Sequence, residues 1–70
     1  MRADISIQMD NEAFTNQGEP SLIAAGAELA LILRDLAKHI EAGDTARGLM
    51  DSNGNTVGRF KIIGAKGVAA

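Results

Sequence analysis

Seventy residues with a net charge of −2 and a pI near 5.1 make one small domain with no general attraction to nucleic acid. The chain has no cysteine and a single histidine, His39, which excludes disulfides and thiol chemistry and leaves too few ligands for a typical zinc site. A core of this size rarely supplies more than ~3–5 kcal/mol, so oligomerisation is the remaining source of extra stability.

The first element is written by alternation. Ala3, Ile5, Ile7 and Met9 fall on one face of the segment 3–10, and Asp4, Ser6, Gln8 and Asp10 on the other. A period of two with β-branched residues predicts a strand with one face buried and one in water. It leads into alternating residues from the start, not into a charged head followed by an apolar run, so no secretory leader is expected. The polar stretch 11–18 reads as a connection, with Phe14 folding back to plug one end of the core.

Pro20 to Ala42 predicts a helix of ~22 residues, about 33 Å long. Pro20 suits the first turn and Ser21 is an alternative cap one residue later; Gly43 fits the left-handed position that ends a helix. Leu22, Gly26, Leu29, Leu33, Leu36 and Ile40 form one stripe, flanked by Ala25 and Ile32, and are expected to face the sheet. The core is expected to set Leu29, Leu33, Leu36 and Ile40 against Ile5, Ile7, Phe60 and Ile62. Between Ser21 and Leu33 there is one charge, Glu28. The helix is therefore apolar around more of its circumference than one small sheet covers. Ile23, Ala27 and Leu31, away from the predicted core stripe, are the candidate oligomer or partner interface, because small residues beside large aliphatics let a second surface approach closely. The apolar run 22–33 is shorter than the ~20 residues a bilayer requires, so no membrane span is expected and a cytoplasmic address is the default expectation.

The segment 47–63 predicts a hairpin. Asn53-Gly54 is a strong signal for a two-residue type I′ turn, which would set Asp51 opposite Thr56, Met50 opposite Val57 and Leu49 opposite Gly58. Gly58 marks a bulge or a close neighbour. Asp51-Ser52-Asn53-Gly54-Asn55 has the look of a calcium-loop opening, but its sixth and twelfth positions are Thr56 and Ile62 instead of glycine and glutamate; the turn reading is preferred and no metal or cofactor is expected. Gly54 to Gly58 lacks the Gly-Lys-Ser/Thr ending of a phosphate loop. His39 reads as a surface residue near a helix end, with Asp35 one turn away. Arg59 and Lys61 project to one side of the last strand and are candidate contacts to an acidic partner or a phosphate backbone. The segment 65–70 reads as a flexible tail after a single domain over 1–64.

These elements predict an α+β fold, β-α-β-β, with a three-stranded sheet and one long helix packed on one face. With no cysteine, one histidine and no carboxylate pair on a recognisable scaffold, a non-enzymatic role is expected.

Three stretches carry a resemblance: Met9-Asp10-Asn11-Glu12-Ala13-Phe14 after the first strand, Glu28-Leu29-Ala30 through Ile32-Leu33-Arg34-Asp35-Leu36-Ala37 and Ile40-Glu41-Ala42-Gly43 in the helix, and Leu49 to Gly58 in the hairpin. In these the chain resembles short accessory proteins of tailed bacteriophages and prophages. The resemblance covers most of the chain and brings no functional residues with it. It implies a phage accessory protein that binds and blocks a bacterial host protein, such as a component of a defence system; the small core and the uncovered Ile23, Ala27 and Leu31 add the expectation of a homodimer or higher oligomer. The alternatives are a small DNA-binding regulatory protein using Arg59 and Lys61, or a minor virion or assembly component.

Overall fold

The computed structural model describes residues 1–64. Strand β1 (Arg2–Ile7) leads through a single 3₁₀ turn (Glu12–Phe14) into a small hairpin of β2 (Thr15–Asn16) and β3 (Glu19–Pro20), then helix α1 (Leu22–Glu41), β4 (Ala46–Met50) and β5 (Thr56–Ile63). The sheet is antiparallel throughout, in the order β1-β5-β4. The fold is α+β with one helix on the sheet, as the pattern predicts; the β2–β3 hairpin is an addition. The tail expected over 65–70 lies outside the described residues.

Helix α1 starts where Ser21 Oγ accepts the Ala24 N–H at 3.2 Å. Pro20 therefore stands in β3 and not in the first turn. The helix ends on Gly43, whose φ of 105° lets its N–H turn back to the Ile40 carbonyl at 3.0 Å while Asp44 N–H reaches His39 at 3.0 Å.

The core consists of Phe14, Ile32, Leu36, Leu49, Val57 and Phe60. Phe14 does plug one end. The helix, however, presents a different stripe from the expected one. Its buried residues are Glu28, Ile32 and Leu36, with Ala25 and Leu29 half-buried, whereas Leu22, Gly26, Leu33 and Ile40 are exposed. The axis is rolled by roughly 70° from the expected orientation. The helix also lies over β4 and the 3₁₀ turn rather than over β1. Consequently Ala3, Ile5 and Met9, expected in the core, stand in water, and Ile7 and Ile62 are half-buried. Of the expected core contacts only Leu36 and Phe60 are fully inside.

The β4–β5 turn differs from type I′. Only Gly54 (φ 84°) is left-handed; Asn53 is not. Asp51 instead organises a wider loop. Its Oδ1 accepts the N–H groups of Asn53 and Asn55, both at 2.9 Å, and its carbonyl accepts the Gly54 N–H at 3.1 Å. Met50 then pairs with Thr56 and Leu49 with Gly58, leaving Val57 as a bulged extra residue that turns into the core. The primed turn occurs at β2–β3, where Gln17 (φ 54°) and Gly18 (φ 83°) are both left-handed. Gly58 is also a close approach: a Cβ there would collide with the Ser6 carbonyl oxygen of β1.

Candidate interaction surface

Glu28 determines which flank of the helix is sealed. Its Oε2 accepts the Ser52 N–H at 3.0 Å and its Oε1 accepts the Ser52 hydroxyl at 2.7 Å. Glu28 lies one turn before Ile32 and two before Leu36, so the same rows that bury those residues aim its carboxylate at the hairpin loop. A buried carboxylate needs such donors, and the loop provides two. The loop is itself held to the opposite end of the chain: Asn11 Nδ2 donates to Asp51 Oδ2 at 2.7 Å while Asn11 Oδ1 accepts the Ala13 N–H at 3.1 Å. Burial opposes ionisation of Asp51, but the hydrogen bonds from the Asn55 backbone, the Asn11 and Asn55 side chains and the Asn53 backbone outweigh it, and its carboxyl titrates below the usual carboxylate value. Both carboxylate oxygens of Asp51 face N–H donors, which favours the turn over an ion site.

From Leu22 to Leu33 the remaining circumference of α1 is apolar and wet; beyond it Arg34, Asp35, Lys38 and Glu41 are exposed. Leu22 is 93% exposed, Ile23 88% and Leu31 55%. The predicted interface residues Ile23, Ala27 and Leu31 lie together on one exposed strip, with Leu31 bordering a shallow cleft beside Met50 and Ser52. A second strip, Leu22, Gly26, Leu33 and Ile40, was assigned to the core by its spacing and is exposed instead. At the start of the helix a recess of about 570 Å³ opens between Met9, Phe14, Pro20, Leu22 and Ala25.

Arg59 and Lys61 are exposed on the outer face of the sheet, away from the helix. Lys61 stands directly opposite Asp4, and Arg59 opposite Ser6. The acid across the strand pair offsets the positive charge available to a phosphate. His39 lies between Asp35 Oδ2 (3.6 Å) and Asp44 Oδ2 (3.4 Å), and Arg47 Nη1 shares Asp44 at 3.1 Å. This is a charged clasp at the helix end, with the histidine meeting two acids where the sequence suggested one.

Among the described residues no helix is long and apolar enough to cross a membrane. Comparison with known protein families, characterised proteins and solved structures gives no match to the chain.

Proposed function

We propose that this chain is a non-catalytic interaction protein, self-associating, that engages another protein through the exposed apolar strip of α1. The observation that carries this reading is the position of Ile23 and Leu31. Large aliphatics held in water on a rigid helix gain about 1.5–3 kcal/mol each when a partner covers them fully. Arg59 and Lys61, half-neutralised by Asp4, offer a phosphate less. With the resemblance to phage accessory proteins, the partner is a bacterial host protein in the cytoplasm and the mode of action is steric: a compact body occupies a surface that its target needs.

The test is capture from bacterial lysate on the immobilised protein, read by mass spectrometry and repeated with Ile23→Glu and Leu31→Glu, whose folding is checked by circular dichroism. A buried, unpaired carboxylate disrupts an apolar contact. The expected result is one protein captured by the wild type and by Arg59→Ala/Lys61→Ala and lost in both helix variants. Tight DNA binding at about 150 mM salt, lost in the Arg59/Lys61 variant and retained in Leu31→Glu, would reverse the assignment.

A further inference from the structure

We infer that a second copy of this chain joins along the open edge of β1, making one six-stranded sheet with both helices on the same face. The inference rests on the self-association in the reading above and assigns it to a surface distinct from the Ile23/Leu31 strip.

The ladder parity comes first. Gln8 N–H donates to the Val57 carbonyl at 2.7 Å. In an antiparallel pair alternate residues direct both backbone groups to one neighbour. Arg2, Asp4 and Ser6, in step with Gln8, therefore bond β5, and Ala3, Ile5 and Ile7 direct theirs outward. The sheet has two edges. β4 is the shorter edge, five residues with Gly48 at its centre, and its regular pairing stops at Leu49, next to the Val57 bulge of β5; short edges pair poorly. Arg2–Ile7 pairs without a shift and holds no proline or glycine.

The side chains agree with the backbone. Ile5 opposes Phe60 and Ala3 opposes Ile62, so both lie on the face that the helix covers elsewhere, yet Ile5 is 47% exposed. Glu28 and Leu31 border the cleft with Met50 and Ser52, which sets that flank of α1 on the β4 side. Leu22, Gly26, Leu33 and Ile40 therefore flank the β1 side. A two-fold axis perpendicular to the sheet keeps the faces aligned and brings two such flanks together above the paired β1 strands. Asp4 and Ala46 both lie opposite Lys61, so the C-terminal end of α1, with Ile40, is the part of that flank nearest the start of β1, and with Ile5 it supplies the apolar part of the junction.

Charge selects the register. Arg2 and Asp4 lie two apart on the outer face, joined within one chain by a 3.0 Å contact that is open to water. An axis through Ala3 sets each Arg2 opposite the other copy's Asp4; an axis through Asp4 would oppose that acid to itself, and one through Ile5 would set it opposite Ser6 with no charge pair.

The experiment is native mass spectrometry and light scattering on the whole chain at micromolar concentration. The wild type is expected as a dimer, Arg2→Asp and Asp4→Arg each as monomers, and their mixture as a heterodimer. Because the chain has no cysteine, Ala3→Cys is a clean reporter. Cα atoms about 5.5 Å apart in such a pair lie within disulfide reach, so this variant is expected to cross-link to itself on mild oxidation, and Asn53→Cys in the hairpin loop is not. Failure of Ala3→Cys to cross-link in a dimeric sample would overturn the β1 junction whatever the charge variants do. Loss of the dimer in Leu31→Glu with retention in Arg2→Asp would move the second copy to the helix strip and leave the interaction-protein reading standing. A monomeric wild type would end both self-association claims without touching partner capture.

Discussion

β1 and β4 flank the same central strand, yet the helix covers one and leaves the other in water. On the β4 side Glu28 reaches Ser52, Val57 bulges inward, and the cleft beside Leu31 is shallow. On the β1 side Ile5, Leu22, Leu33 and Ile40 face solvent. If apolar area alone set the roll of the helix, the richer stripe of Leu22, Leu29, Leu33, Leu36 and Ile40 would point inward. Glu28 shares the flank of Ile32, and rolling the richer stripe inward would pull its carboxylate away from both Ser52 donors. The chain keeps the polar tie and leaves Leu22 almost wholly uncovered, with about 1.5–3 kcal/mol of unrealised burial, and Ile5, Leu33 and Ile40 uncovered in part. The monomer is thus finished on one side and open on the other.

The strongest way to break this comparison is a pair of truncations one turn apart. Leu36→Ala is expected to cost about 2–5 kcal/mol in urea unfolding, close to the whole stability of a domain this size. Leu33→Ala, at a concentration low enough to keep the chain monomeric, is expected to cost well under half of that, about 1 kcal/mol. Equal losses would mean that the helix is rolled the other way. Next in size is Glu28→Ala, expected to cost about 1–3 kcal/mol by stripping the Ser52 N–H and hydroxyl of their acceptor, with part of that loss recovered in Glu28→Gln. A neutral Glu28→Ala would remove the tie from the account.

The smallest effect sharpens the β4 side through pH. Asp51 titrates below the usual carboxylate value in the folded chain, so the stability it contributes is present above the unfolded pKa of about 3.9. That contribution is lost as pH falls through the folded value. Asp51→Asn is expected to flatten this acid limb of a melting-temperature profile and to leave its slope near neutrality unchanged. An acid limb that stays as steep would place the titration elsewhere.

Much of this arrangement was legible in the residues. Alternation located β1, Gly43 marked the helix end, Ser21 was the alternative to Pro20 at its start, and Asn53-Gly54 located the hairpin. The roll of the helix was not legible, because a period of 3.6 tells which residues share a face but not which face meets the sheet when most faces are apolar. Glu28 was the available signal: a lone acid in thirteen otherwise uncharged residues needs a partner if its stripe is buried. Asn53-Gly54 was read as a primed turn because the dipeptide permits one. The Asp51 side chain, which takes the Asn53 and Asn55 N–H groups, makes the loop wider. The candidate strip Ile23, Ala27 and Leu31 lies where the spacing set it, but the neighbouring strip with Leu22 and Leu33 was missed through the same misassigned roll.

The β1–β5 pairing has a consequence for the order in which the chain assembles. β4 and β5 are joined by a short loop, and such a hairpin closes in ~1–10 μs. β1 pairs Arg2 with Ile63 and is held near the hairpin by a hydrogen bond from Asn11 to a residue 40 positions away. Closing so long a loop costs conformational entropy before any of its contacts repay it. β1 is therefore expected to dock last, after the helix and hairpin have met. The strand that would join two copies becomes a straight, presentable edge only in a chain whose folding is complete, so its own slow closure guards it against pairing with half-made neighbours.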